Sequence, residues 1–139
     1  MSRKIRCPVA SSLDIVGDRW TLQVVRELLR GHTRFSELRE TVEGIPPSVL
    51  SQRLKTLERA GIVTRRPYSY HPPRSAYFLT PKGHGLGLVV GALSSWGEKY
   101  GEHDLSLVDN ECGHGVSVVY HCETCGRGAP RSRVRMVGT

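Results

Sequence analysis

The 139-residue sequence predicts an α+β fold that is mainly α: four helices, a two-stranded hairpin and a longer last helix. Three observations carry this. Apolar residues recur every three or four positions from Val9 to Leu57. The period then changes to β-branched and aromatic runs on either side of a loop rich in Pro, Tyr and Arg, and Gly or Pro stands at most junctions. Hydrophobic residues make up 38% and charged residues 24%, enough apolar material to bury a core and too much for a disordered chain. No stretch approaches the roughly 18–20 apolar residues of a membrane span. The charged start, Met1 to Pro8, has no apolar signal core behind it, which predicts a cytoplasmic protein with no membrane partner.

Pro8 opens the first helix, since its missing N–H is not needed in a first turn, and Val9, Leu13 and Val16 follow at helical spacing. Gly17 and Asp18 interrupt it. Trp20, Val24, Val25, Leu28 and Leu29 form a second stripe that ends at Gly31. Thr33 is placed to cap a short third helix carrying Phe35, Leu38 and Val42. After the turn Gly44–Pro47, a helix over Pro47–Ala60 buries Leu50, Leu54 and Leu57 and stops at Gly61. Ile62–Arg66 and Ala76–Thr80 read as strands joined by the loop Pro67–Ser75. Thr80-Pro81 then caps and opens the last helix, with Leu86, Val89, Val90, Leu93, Trp96 and Tyr100 spaced by three or four. Gly83, Gly85, Gly87 and Gly91 weaken that helix, each by up to about 1 kcal/mol relative to Ala. Helices, hairpin and helix in this order make a winged helix-turn-helix over residues 1–100. Residues 101–139 form an extension, with a Cys/His-containing stretch at 103–126 and a basic tail at 127–139 expected to be flexible.

Charge gives this order a function. The net charge is +7 and the pI about 9.6, which points to a polyanionic partner. The excess is local: from Gly44 to Gly97 seven basic residues face the single acid Glu58, whereas residues 101–126 hold five acids and no Lys or Arg. On the Pro47–Ala60 helix, Ser48, Ser51, Gln52 and Lys55 lie opposite the leucine stripe, with Arg53 and Arg59 on the flanks. A helix that enters the major groove needs such a face, because Gln pairs bidentately with adenine and Lys suits guanine or phosphate. In the hairpin, Arg65, Arg66 and Arg74 bracket Tyr68, Tyr70 and His71 with no acid among them, as a wing along the phosphate backbone requires. Neither a Ser/His/Asp order nor a paired-carboxylate arrangement appears, and Gly83-x-Gly85-x-Gly87 lacks the pattern of a phosphate cradle. The sequence therefore predicts double-stranded DNA as partner and no enzymatic activity. A non-specific nucleic-acid-binding protein is the nearest alternative.

The ordered motifs Cys7-Pro8-Val9, Gly17-Asp18-Arg19-Trp20-Thr21, Arg34-Phe35-Ser36-Glu37-Leu38-Arg39 and Gly44 through Glu58, then Pro72 through Gly83 and Trp96-Gly97, resemble the HxlR family of bacterial winged-helix regulators, relatives of the MarR group. The resemblance covers about residues 5–100. It implies a homodimeric transcriptional regulator, a repressor on our reading, on a pseudo-palindromic operator, with Arg39 joining the DNA-facing set. It also implies pairing through the first and last helices, which places Leu13, Leu86, Val89, Val90, Leu93 and Trp96 in the dimer interface. One departure is Pro46, where the family usually has Ser or Thr as the cap of the reading helix.

Four cysteines remain. Cys7 directly precedes a helix, and Arg3, Lys4 and Arg6 lie near it; a helix N-terminus and positive charge both favour the reactive thiolate. The resemblance implies a sensor of oxidants or electrophiles there. The other three are Cys112, in Cys112-Gly113-His114, and the pair in Cys122-Glu123-Thr124-Cys125-Gly126. Cys-x-x-Cys-Gly is the spacing of a zinc knuckle. Cys112, Cys122 and Cys125 with His114 make a chemically complete zinc set, and His103, Asp109 and His121 are further candidates for the fourth position. Some members of the resembling family have a similar C-terminal pattern, with His where this chain has Asp109. A redox-active Cys122/Cys125 pair and plain free thiols are the competing readings; the former would make this a thiol- or zinc-dependent redox protein.

Overall fold

Pro8 and Pro47 open two of the helices as their positions require. In the computed structural model, which describes residues 6–138, α1 spans Pro8–Val16, α2 Thr21–Leu29, α3 Phe35–Thr41 and α4 Pro47–Arg59. An antiparallel hairpin of β1 (Val63–Tyr70) and β2 (Pro73–Leu79) follows, then α5 (Pro81–Gly85) and α6 (Gly87–Tyr100). Beyond them lie β3 (Tyr120–Cys122), β4 (Arg127–Ala129) and a 3-10 turn at Arg131–Arg133. No helix among the described residues is long and apolar enough to cross a membrane. Four helices, a hairpin and a helical segment in this order are a winged helix-turn-helix.

One core organises the unit Arg6–Val90. Val24, Val25 and Leu28 of α2, Leu38 of α3 and the Leu50–Leu54–Leu57 stripe of α4 are buried together with Ile62 and Val63 at the start of the hairpin. Each such side chain contributes on the order of 1.5–3 kcal/mol through removal from water. The stripe spacing fixes the rotation of α4, and its polar residues are thereby turned outward.

Three sequence expectations change. α3 begins at Phe35 with Arg34, not Thr33, in the capping position and no side-chain cap; the Thr33 carbonyl instead accepts a hydrogen bond from the Tyr77 amide at 2.8 Å. The expected loop Pro67–Ser75 is mostly strand, interrupted by a register shift between Pro67 and Ser69, where Pro67 has no N–H for the ladder. The single last helix is two: Thr80 caps α5 by accepting from the Gly83 amide at 3.1 Å, as expected, but the helix breaks at Leu86. Gly83 is buried beneath this cap, where a Cβ would collide with the Ile62 carbonyl.

The second unit begins at Gly91, inside α6, rather than at residue 101. Its extension leans on α6 at Gly91, where Leu107 and Val118 fill the space beside the missing side chain. The basic tail is less featureless than its composition suggests, since Arg127–Ala129 pairs with β3.

A buried charge closes the α2–α3 turn. Glu27 is fully buried and accepts from Arg26 Nε at 2.8 Å and from Arg30 Nη1 at 3.1 and 3.2 Å, and its Oε2 lies 2.7 Å from His32 Nδ1. Burial works to raise its pKa, but the hydrogen bonds from His32, Arg26 and Arg30 outweigh it and hold the carboxyl below its ordinary 4.5. A depressed carboxyl contributes stability that is present above the unfolded-state value and lost as pH falls through the folded one. Stability of the chain is therefore expected to fall as pH drops below about 4.5, and Glu27→Gln to flatten that dependence. Urea midpoints of both proteins across the acid range check this, and parallel curves would contradict it.

Candidate nucleic-acid interface

Because the leucine stripe of α4 faces the core, Ser48, Gln52 and Lys55 stand exposed and Ser51 half-exposed on the opposite side. Pro46 caps α4 without a side-chain acceptor, so the first amides of the helix are left for water or an anion. Between α4 and the hairpin lies a groove of about 380 Å³ lined by Ser51, Lys55, Glu58, Arg59, Arg65 and Tyr77. A second, of about 530 Å³, runs between α3 and the hairpin past Phe35, Ser36, Arg65, Tyr68, Arg74 and Tyr77. Arg65 stands between the two, with Glu58 3.8 Å away. Burial pushes the Tyr77 hydroxyl up, so it stays neutral; Tyr77 lines both grooves.

The hairpin side chains are partly ordered before any ligand arrives. Arg34 stacks over the Tyr68 ring at 4.7 Å and Arg66 over Phe78 at 4.9 Å. Tyr70, His71 and Arg74 are exposed at the tip, and Arg39 is exposed at the end of α3. Arg34 is absent from the sequence-derived set; its only signal is its place in the Arg34-Phe35-Ser36 motif.

Arg53 is the correction. Its Nη1 lies 3.5 Å from Asp18 Oδ1, and its Nε is buried without a partner, so this side chain turns back into its own domain instead of outward. The same carboxylate accepts the Trp20 and Thr21 amides at 2.9 and 3.0 Å and the Thr21 hydroxyl. Burial works to raise the Asp18 pKa, but these bonds and Arg53 together hold it below the ordinary carboxylate range. Asp18, which breaks the helical period and belongs to the Gly17-Asp18-Arg19-Trp20-Thr21 motif, thus ties the start of α2 to the middle of α4.

An HxlR-like helix-turn-helix family profile matches residues 15–105, which include α2 through α6. The chain belongs to the HxlR-like helix-turn-helix family. It is 36% identical over 122 residues to the uncharacterised HTH-type transcriptional regulator Rv3095 of Mycobacterium tuberculosis, covering 85% of this chain and 77% of that one. Among solved structures it resembles PA1607, a candidate transcription factor, with a TM-score of 0.81 and 30% identity over 94% of each chain. It also resembles the redox regulator HypR in its reduced form, with a TM-score of 0.62 and 34% identity over 67% of this chain and 92% of that one. This HxlR-like protein is thus a helix-turn-helix transcriptional regulator, of a family that binds DNA and is not enzymatic.

In this HxlR-like chain, Cys7 is exposed and occupies the capping position of α1, where its carbonyl accepts the Ser11 amide at 3.1 Å. Arg3 and Lys4, expected beside it, lie outside the described residues. Of the expected interface residues, Leu13 is 55%, Val89 42%, Leu93 51% and Trp96 67% exposed, but Leu86 and Val90 pack against the core. Those two lie four residues apart on the inward side; Leu88, which the sequence reading passed over, is exposed. Cys112 and His114 sit on one turn and Cys122 and Cys125 on another, and among the described residues no three His, Cys, Asp or Glu side chains converge to hold a metal. The Cys125 backbone amide, followed by its side chain and the Thr124 amide, holds the Cys122 thiol below its ordinary value.

The Asp18–Arg53 tie is expected to show as a coupling of about 1 kcal/mol in a double-mutant cycle of Asp18→Ala and Arg53→Ala, read from urea unfolding. Strict additivity would mean that the two side chains do not hold α4 together.

Proposed function

We propose that this HxlR-like regulator is a homodimeric repressor whose α4 reads one half of a pseudo-palindromic operator while the β1–β2 wing holds the flanking backbone. The supporting observation is the uncapped, outward polar face of α4 set beside an acid-free hairpin carrying Arg65, Arg66 and Arg74. Ser48, Ser51, Gln52 and Lys55 meet base edges and phosphates, Arg39, Tyr68, Tyr70 and His71 the backbone. A dimer seated there occludes the promoter it covers. Cys7 is the thiol through which an oxidant or electrophile loosens binding; likeness to HypR and the exposed site at the start of α1 support it.

Binding to the protein's own upstream region, measured over a salt series, tests this. Gln52→Ala is expected to relax base preference, and Arg74→Ala to weaken all sequences alike with a salt slope smaller by about 1. Peroxide is expected to release DNA from the natural protein and not from Cys7→Ser. Equal affinity for operator and random DNA would point instead to non-specific nucleic-acid binding.

The exposed Leu13, Val89, Leu93 and Trp96 support the dimer, since large apolar side chains anchor such interfaces. Trp96→Asp is expected to yield monomers in sedimentation; a natural protein that sediments as a monomer would remove the homodimer.

A further inference from the structure

Cys122-Glu123-Thr124-Cys125-Gly126 is a motif that DNA reading leaves without a role. Cys122 ends β3 and Arg127 begins β4, so one turn carries both thiols. The Gly126 amide closes it on the Cys122 carbonyl at 2.8 Å, and Gly126 has φ +67°, a conformation that favours glycine. The Cys125 amide donates to Cys122 Sγ at 3.4 Å, and the Cys125 side chain hydrogen-bonds to the same sulfur. The two sulfurs therefore already face each other. A four-residue turn holds its end Cα atoms within about 7 Å, and a disulfide spans roughly 4.4–6.8 Å. Both thiols are exposed, and none of residues 101–138 is buried, so a small oxidant reaches them without opening a core.

The two thiols are not equivalent. Cys122 Sγ accepts the Cys125 amide, and a hydrogen bond to sulfur favours the thiolate over the thiol. The register partner of Cys122 across the hairpin is Arg127, and directly opposed residues place their side chains on one face; Glu123 is the acid within the turn. Cys122 is thus the attacking sulfur and Cys125 the resolving one. The other two cysteines belong to other elements. Cys112 lies on a separate turn, where its amide donates to Asp109 Oδ1 at 3.2 Å, and Cys7 precedes α1 in the other unit.

We propose that Cys122 and Cys125 are a dithiol site for hydroperoxides, closing a reversible disulfide within one chain and independently of Cys7. The Cys122 sulfur attacks one oxygen of hydrogen peroxide. The O–O bond breaks, the other oxygen leaves as water with the thiol proton, and Cys122 becomes a sulfenic acid. The Cys125 sulfur then attacks the Cys122 sulfur. The S–S bond forms, the S–O bond breaks, and the hydroxyl leaves as a second water with the Cys125 proton. The two sulfurs lose two electrons and one peroxide gains them. Two equivalents of a small thiol reverse the bond and leave as their own disulfide. One peroxide is consumed per pair until that reductant resets it.

The test uses the full-length Cys7→Ser chain, reduced, treated with a chelator and freed of reductant, with one equivalent of hydrogen peroxide and no DNA. It needs neither the operator nor Cys7, so its failure and that of the proposed regulator are separate. The chain is expected to lose two of its three remaining thiols. Proteolysis after Glu123 cuts between the pair, and the two peptides are expected to stay joined until dithiothreitol parts them. The join is expected to persist when Cys112→Ser is added and to vanish with Cys122→Ser. Cys125→Ser is expected to stop at a Cys122 sulfenic acid that dimedone labels, and to consume peroxide about tenfold faster than Cys122→Ser. Iodoacetamide is expected to label Cys122 before Cys125 in the folded chain and both alike in urea, where the turn is lost. Three free thiols after peroxide, or a bond that involves Cys112 or joins two chains, would overturn the site. Equal labelling of the two thiols in the folded chain would overturn the attacking role of Cys122.

Discussion

The placement of α4 beside the start of α2 depends on one carboxylate. Asp18 gathers two backbone amides and a hydroxyl at the start of α2 and meets the Arg53 guanidinium from α4. Burial of a carboxylate is unfavourable unless donors compensate it, and here they come from two different helices. The same group that starts α2 therefore sets where the middle of α4 lies. Hydrophobic packing of Leu50, Leu54 and Leu57 fixes the rotation of α4; being non-directional, it fixes position along the helix axis less well than a charge-assisted contact does.

The wing is held by different means. Thr33 accepts the Tyr77 amide, Arg34 bridges Ala76, and the Thr80 hydroxyl donates to the Gly61 carbonyl at 2.5 Å. These contacts anchor the base of a hairpin whose strands are otherwise exposed. Its tip carries Tyr70, His71 and Arg74 free of such ties, while Tyr68 and Arg66 are stacked against Arg34 and Phe78. A rigid base with an open tip suits contact with a phosphate backbone, where position matters at the base and adaptability at the end.

The charge pattern follows the same division. Six of the seven basic residues of 44–97 lie on α4 and the hairpin and the seventh, Lys82, on α5, while the acids of residues 101–126 lie in the extension. Net charge alone therefore understates the positive charge carried by α4 and the hairpin. In the extension, Asp109 is bonded by the Glu111 and Cys112 amides, so part of that acidity is structural.

The sequence by itself determined the element order, the core stripe of α4 and the polar face opposite it, because helical period and Gly/Pro breakers are local properties. It also determined the family, through motifs kept in order. It did not determine that Arg53 turns inward, since its partner Asp18 is 35 positions away and no local pattern marks a contact between helices. For the same reason Leu86 and Val90 read as interface although they close the core: periodicity shows that a stripe is apolar, not what covers it. The hairpin came out too short because Pro67 and Pro73 break the strand pattern, yet both stand where exposed strands tolerate a missing N–H.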